Sequence, residues 1–304
     1  MPRIAYFGPT GTFTEMALAR FEELGIFDEP VERVSATNPP AALQLLRDGE
    51  VTGAVVPIES SVEGSVPPTM DALALGPRLQ ILAEIELDVA FTVVARPGTT
   101  LGQVRTVGAY PVAGAQVRQW LAEHLPAAEV VASSSNAGAA EDVASGKVDA
   151  GVSTALAGRR LGLDALADGV ADFAGARTRF VLVGRPAPVP ERTGCDRTSV
   201  ILQLPNEPGS LVRAMTEFAT RGIDLTRIES RPTRREYGTY FFHLDCVGHV
   251  DDALVAEALK ALHRFAHVRF LGSWAAVSEH GVPPVSDDDD EKWLQQLRRG
   301  EEQS

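Results

Sequence analysis

The sequence predicts an α/β domain folded as two lobes, followed by a smaller α+β domain. Three observations carry that prediction. From residue 3 to residue 184, short apolar, β-branched runs alternate with amphipathic helical stretches, the rhythm of sheets covered by helices. Arg185-Pro186-Ala187-Pro188-Val189-Pro190 then interrupts the rhythm with a stiff, extended spacer. Beyond the spacer the order becomes strand, helix, strand, strand, helix, strand, which is the ferredoxin-like βαββαβ arrangement.

Size and charge narrow the classes of function. The 304 residues suffice for two or three domains, and 44% hydrophobic with 23% charged residues is ordinary for a soluble globular chain. Lys+Arg 28 against Asp+Glu 41 leaves a net charge of −13, which argues against nucleic acid as a partner while leaving room for a locally cationic pocket. Cys195 and Cys246 are too few for a disulfide framework or a thiolate metal site. Residues 1–7 run straight into a strand without a cleavage pattern, and no run approaches the roughly 20 apolar residues of a membrane span. A cytoplasmic protein with no membrane partner is expected.

In the first lobe, residues 3–7 read as a buried strand and Gly8-Pro9-Thr10-Gly11-Thr12 as a tight turn into a helix over 13–24. Thr12-Phe13-Thr14-Glu15 has the capping-box pattern, with Thr12 at the cap and Glu15 reaching back. Capping accounts for both residues; the alternative is that the free N–H groups of this helix start, with the Thr10 and Thr12 hydroxyls, hold a carboxylate. The turn is not a nucleotide loop, because the P-loop lysine is missing and Gly8 and Gly11 lack the dinucleotide spacing. Residues 31–34 form a second strand, 39–47 a helix closed by Gly49, and 53–57 a buried strand. That strand ends in an unusually polar stretch, Ile58-Glu59-Ser60-Ser61-Val62-Glu63-Gly64-Ser65-Val66. Loops after the C-terminal ends of parallel strands are where such sheets bind ligands. Ser60, Ser61 and Ser65 either satisfy their own backbone or donate to a substrate, with Glu59 as an acid or orienting group. Thr69 caps the next helix.

Residues 81–87 and 89–95 read as strands crossing into a second lobe. Strands at 104–109, 129–132 and 150–153 follow, with helices at 112–123, 136–145 and 154–161 between and after them. The chain returns at 177–184, where Arg177-Thr178-Arg179-Phe180 opens an apolar strand with a hydroxyl and a guanidinium. Leaving one parallel sheet, building another and returning makes a cleft, with this polar strand mouth at the crossing. Taken alone, Thr178 is a β-former and Arg179 an edge charge, and Gln116 is a surface residue or a cleft contact. No metal-ligand cluster and no Ser-His-Asp set appears, so chemistry here must run on Thr, Ser, Glu and Arg. That points to elimination or isomerisation of an activated small acid, or to binding alone.

With Gly8-Pro9-Thr10-Gly11-Thr12-Phe13-Thr14-Glu15, Pro57-Ile58-Glu59-Ser60-Ser61-Val62-Glu63-Gly64-Ser65-Val66 and Thr178-Arg179-Phe180 in this order, the chain resembles the prephenate dehydratases of actinobacterial type. The resemblance implies a periplasmic-binding-like two-lobed fold and the conversion of prephenate to phenylpyruvate with loss of water and carbon dioxide. It implies no cofactor: electrons from the departing carboxylate flow through the ring and expel the hydroxyl, so the substrate is its own electron sink. Thr178 would donate to the leaving hydroxyl, Arg179 would orient a carboxylate beside Phe180, and Glu59 would relay the proton. Thr10, Thr12, Ser60, Ser61, Gly64 and Gln116 would surround the substrate. Two departures stand out. The family's Glu-Asn-Ser is Glu59-Ser60-Ser61 here, and its Ser-His-Pro is Ala109-Tyr110-Pro111.

Past the spacer, strands are expected at 198–204, 223–231, 239–247 and 268–272, with helices opened by Pro208-Gly209-Ser210 and spanning 250–265. Asn206-Glu207-Pro208-Gly209-Ser210-Leu211 and Glu229-Ser230-Arg231-Pro232 resemble the two signatures of an ACT regulatory domain. On that resemblance Pro208, Gly209, Ser210, Leu211, Glu229, Ser230, Arg231 and Pro232 bind phenylalanine as an allosteric effector where two copies meet, in a homodimer or a dimer of dimers. Without it, Glu229 and Arg231 are a surface ion pair. The expected division is a catalytic domain over 1–184 (lobe 1 about 1–80 plus 165–184, lobe 2 about 81–164), a linker over 185–196, an ACT domain over 197–276 and an acidic, disordered tail over 277–304. The same lyase chemistry on arogenate, the amino analogue, and a non-catalytic amino-acid sensor are the alternatives.

Overall fold

The computed structural model describes residues 1–277, 281–282 and 288–300, without the side chains of 288–291. The chain forms two compact units, Met1–Leu73 with Ile85–Arg185 and Ala74–Glu84 with Pro186–Ser304.

The first unit is built on two mixed sheets. In chain order its elements are β1 (Arg3–Phe7), α1 (Phe13–Glu23), β2 (Glu32–Ala36), α2 (Pro39–Asp48), β3 (Gly53–Ser60), β4 (Gly64–Ser65), α3 (Pro67–Ala74) and the end of β5 (Gln80–Asp88), a strand whose residues up to Glu84 group with the second unit. They continue with β6 (Thr92–Ala95), β7 (Thr106–Ala109), α4 (Pro111–Gln116), α5 (Arg118–His124), β8 (Glu129–Ala132), α6 (Asn136–Ala144), β9 (Ala150–Ser153), α7 (Ala155–Arg160), β10 (Asp164–Asp168) and β11 (Arg177–Gly184). The first sheet has the order β2-β1-β3-β11-β5, and the second β10-β6-β9-β7-β8.

Local chemistry sets the helix ends. Asn38 Oδ1 accepts from Ala41 N–H at 2.8 Å with Pro39 and Pro40 opening α2, and Gly49 closes it at φ 78°, left-handed backbone that favours glycine. The central strands are fully buried, Val55, Val56, Val181 and Val183 all being 0% exposed.

Several expectations need correction. The sheets are not purely parallel: β11 runs antiparallel to β3, and β6 antiparallel to both β9 and β10. The strand expected at 81–87 as the start of lobe 2 is β5, an edge of the first sheet, so the crossing comes after Asp88. β10, which the sequence left to lobe 1, pairs with β6 in the second sheet. The helix expected at 112–123 is two helices that break at Val117. Thr69 is inside α3 and not its cap; its hydroxyl is buried and donates to the Pro57 carbonyl at 2.7 Å.

The second unit follows the βαββαβ order: β12 (Asp196–Gln203), α8 (Ser210–Ala219), β13 (Leu225–Pro232), β14 (Tyr240–Val247), α9 (Ala253–His263) and β15 (His267–Ala275). Its antiparallel sheet has the order β13-β14-β12-β15. Strand alternation sends Val200, Leu202, Leu244 and Cys246 to the helix-covered face, where they pack with Phe218, Val255 and Leu262. Burial pushes the Cys246 thiol up to about 12, which leaves it an inert packing group. Among the residues of opposite parity, Arg227 and Asp245 form a buried two-pronged ion pair at 2.9 and 2.7 Å.

Residues 74–84 were expected in the catalytic domain but segregate with this unit. Glu84 accepts from Arg197 Nε and from Val277 N–H, and Gln80 Oε1 accepts from Ala187 N–H. Within the acidic tail, where the sequence leaves a short helix open over 292–299, α10 (Asp288–Arg299) is a helix; residues 278–280, 283–287 and 301–304 lie outside the described residues.

Candidate active site

The first unit contains a cavity of about 320 Å³ whose walls come from elements of both its sheets. Its floor is apolar, with Phe7, Phe13, Phe91 and Phe180, and Phe13 meets Phe91 edge to face at 5.9 Å. Its polar groups enter from four places.

The first is the start of α1. Gly11 has φ 95°, and a Cβ there would come within 2.9 Å of the Ala157 Cβ, so only glycine fits the turn. The Thr12 hydroxyl donates to the Phe7 carbonyl at 2.9 Å and accepts from Glu15 N–H at 3.3 Å. It is therefore spent on aiming the helix. What α1 offers the cavity is its first turn, where Thr12, Phe13 and Thr14 line the wall and first-turn N–H groups have no partner four residues back. Thr10 does not reach the cavity; it is exposed, with its hydroxyl 3.3 Å from the Tyr6 hydroxyl.

Glu15 departs from the expected capping box. Its carboxylate accepts from Gly11 N–H at 2.7 Å rather than from the cap residue, and takes Arg160 at 2.6 Å and Arg33 at 3.2 Å. Burial alone would raise its pKa, but the Gly11 N–H and the two guanidiniums overcome that and hold the carboxyl below the usual range. Arg160 follows the second sheet's β9, and the Thr154 hydroxyl donates to the Gly11 carbonyl at 2.7 Å. The α1 turn is thus tied to both halves of the unit.

The second place is the end of β3. Ser60 lines the cavity, its oxygen accepting from Val62 and Glu63 N–H at 3.3 and 3.4 Å. Ser61, expected at the substrate, instead accepts from Arg177 N–H at 2.9 Å and does not line the cavity. Gly64, at φ 76°, turns the chain back into β4 and forms part of the wall.

The third is β11. Thr178 and Phe180 line the cavity, whereas Arg179 does not. Strand alternation sends its guanidinium the other way, where it is 5% exposed and lies 2.8 Å from Glu59. Neither member of that pair faces the cavity. Where the family resemblance implies a carboxylate clamp at Arg179 and a proton relay at Glu59, the geometry pairs the two with each other.

The fourth is the second lobe. Gln116 is a cavity residue, 6% exposed, with Nε2 3.4 Å from Glu63 Oε1. Ser135 caps α6 by accepting from Gly138 N–H at 2.9 Å. Asn136 opens that helix, lines the cavity and holds its Oδ1 buried with no hydrogen-bond partner. Tyr110, Phe91 and Asn136 were missed as site residues. The Ser135 capping pattern was legible, but nothing local says that this helix start faces the one at Thr12. Among the described lining residues there is no Lys or Arg, so favourable potential for an anion comes from the first turns of α1 and α6.

In the second unit, Gly209 at φ 85° immediately precedes α8, and Glu229, Ser230, Arg231 and Pro232 end β13, the edge strand of the sheet.

Comparison with known proteins fits this division. The family model "Prephenate dehydratase" matches residues 4–188, and "ACT domain" matches residues 198–264. A prephenate dehydratase of Mycobacterium sp. (strain JLS) is 59% identical over 99% of this chain and 97% of its own length. A crystal structure of prephenate dehydratase from Arthrobacter aurescens in complex with L-Phe is 39% identical, with a TM-score of 0.88 over 98% of this chain and 100% of that one. The quorum-quenching acylase GqqA is 29% identical, with a TM-score of 0.77 over 90% of this chain and 98% of its own.

Proposed function

We propose, from the premise that the chain belongs to the prephenate dehydratase family, that the cavity between Thr12, Ser60, Thr178 and Asn136 is where it turns prephenate into phenylpyruvate. The observation that carries this reading is the Thr178 side chain, on the wall of a cavity that is apolar below and ringed by helix starts and hydroxyls.

The chemistry asks little else of the protein. The side-chain carboxylate of a dianionic substrate would sit at the first turn of α1 or α6, where backbone N–H groups and the helix dipole favour it. The ring carboxylate would lie over the phenylalanines, where loss of hydration favours its departure as neutral carbon dioxide. As that C–C bond breaks, its electron pair becomes part of the ring and the C–O bond at the far side breaks. Thr178 donates a hydrogen bond to the leaving oxygen and so stabilises charge that develops only in the transition state. A threonine is a poor acid, so its role is electrostatic, with the proton supplied by solvent or substrate. Arg179 and Glu59 brace β11 against β3 and set the angle of Thr178.

One observation favours a second substrate. Asn136 Oδ1 lacks a donor, and the ammonium of arogenate would supply one where the keto group of prephenate would not. Side-by-side turnover of the two acids tests this.

Regulation follows from the ACT unit. Phenylalanine, the ligand of the Arthrobacter relative, would place its carboxylate at the Gly209 turn and its ammonium near Glu229, with Pro208, Ser210, Leu211, Ser230, Arg231 and Pro232 around it. The exposed apolar side chains Val212, Ile228 and Tyr240 support a homodimer, and pairs of dimers, through the β13 edge. Among the described residues no helix is long and apolar enough to cross a membrane, which suits the cytoplasmic setting proposed. The experiment is ultraviolet detection of phenylpyruvate from prephenate, with and without phenylalanine. Turnover that phenylalanine suppresses supports the reading, and no turnover in either condition overturns it.

A further inference from the structure

The second unit has a concavity of about 80 Å³, lined in part by Ile201, Gln203, Arg235, Phe241, His267 and Arg269. None of these residues belongs to the signatures at 206–211 or 229–232.

Its charge is one-sided. Arg269 is half-buried, and burial, together with repulsion from Arg78 and Arg235, holds its guanidinium below the usual arginine range. Elsewhere the same unit matches its buried arginines with acids, as in Arg197 with Glu84 and Arg227 with Asp245. Among the described residues, neither Arg78, Arg235 nor Arg269 has a carboxylate partner. In a chain with Asp+Glu 41 against Lys+Arg 28, three guanidiniums gathered without an acid are not a consequence of composition.

The guanidiniums are also held in place. Arg269 Nη1 and Nη2 both donate to the Gly76 carbonyl at 3.0 Å, and Arg78 Nη1 donates to the Phe270 carbonyl at 3.1 Å. A guanidinium has five N–H donors, so both keep several after anchoring. Arg235 comes from the loop after β13, where its N–H bonds to the Thr233 oxygen at 3.3 Å. Anchored cations with donors to spare are what a planar fork offers a phosphate or carboxylate. The space admits a group the size of a few water molecules and no aromatic ring.

We propose that Arg269 and Arg235, with His267 beside them and the charge of Arg78 nearby, bind a small dianionic oxyanion of the phosphoryl class. Such an anion joins β15 and the 233–239 loop through one charge centre.

The test is isothermal titration of the full-length protein with inorganic phosphate at constant ionic strength. The expected result is saturable binding of one phosphate per chain, weakened tenfold or more in Arg269→Gln and in Arg235→Ala, and unchanged in Arg20→Ala, whose side chain is on α1. Arg235 is exposed, so its variant keeps the test decisive if Arg269→Gln does not fold. Methyl phosphate binding as tightly assigns the site to phosphate esters, and binding by inorganic phosphate alone assigns it to the free ion; both support a phosphoryl site. No saturable heat, or equal affinity in wild type, Arg235→Ala and folded Arg269→Gln, overturns the proposal.

Discussion

Thr178 lies directly across from Ser60 in the antiparallel pairing of β11 with β3, and both line the cavity. Ser60 already accepts from two N–H groups of the loop that follows it, so it shapes the wall more than it grips a ligand. Ser60→Ala is expected to raise KM several-fold while changing kcat less than threefold. Steady-state kinetics on prephenate would check the split; an equal fall in kcat would give Ser60 a place in the transition state.

The next pair along, Arg179 with Glu59, faces away from the cavity. Glu59→Ala removes one carboxylate partner from a buried guanidinium. Because Glu59 is itself about one-third exposed, the loss is expected at about 1–3 kcal/mol, below that of a fully buried pair. Urea denaturation measures it. Glu59→Gln, which can still accept from Arg179, should keep kcat within about fivefold, since a true relay would lose a factor of a hundred or more.

Glu15 gives the first unit a dependence on pH. Its pKa is lowered in the folded protein from the ordinary value of 4.5, so its stabilisation is fully present above that value. The contribution is lost as pH falls through the lowered folded value. Glu15→Gln is therefore expected to lower the thermal midpoint at pH 7 and to narrow its gap to wild type as the solution is acidified below 4.5. Calorimetry across that range would show the convergence. A constant gap would mean that the Arg160 and Arg33 contacts do not depend on the charge.

Much of the fold was legible because the residues that set it act locally. Asn38 with Pro39 starts a helix and Gly49 stops one, and the apolar run at 181–183 is buried on both faces. What was not legible depends on pairing between distant segments. Nothing near residue 81 says that β5 joins the first sheet's edge, and nothing near residue 165 marks β10 as a partner of β6. The site divides the same way. Thr178, Thr12, Ser60, Gly64 and Gln116 reach the cavity; strand parity and the β3–β11 register turn Arg179 and Glu59 elsewhere, and Ser61 and Thr10, in the turns outside those strands, bond Arg177 N–H and the Tyr6 hydroxyl instead. Asn136 was missed because its significance is an absent partner, visible only once its surroundings are closed.

That absent partner makes Asn136 testable. Asn136→Ala removes a buried acceptor and is expected to raise kcat/KM for prephenate or leave it within threefold, while lowering it tenfold or more for arogenate. Competing the two substrates against each other reads the ratio directly. Equal loss on both would tie Asn136 to a group the two acids share.

The claim on which the account turns is that the Thr178 hydroxyl meets the departing oxygen. The most direct measurement is the single-turnover rate of phenylpyruvate formation by wild type, Thr178→Ser and Thr178→Ala, each shown by circular dichroism to be folded. The account predicts that Thr178→Ala falls by about a hundredfold or more while Thr178→Ser recovers most of the rate. A folded Thr178→Ala within threefold of wild type would contradict it.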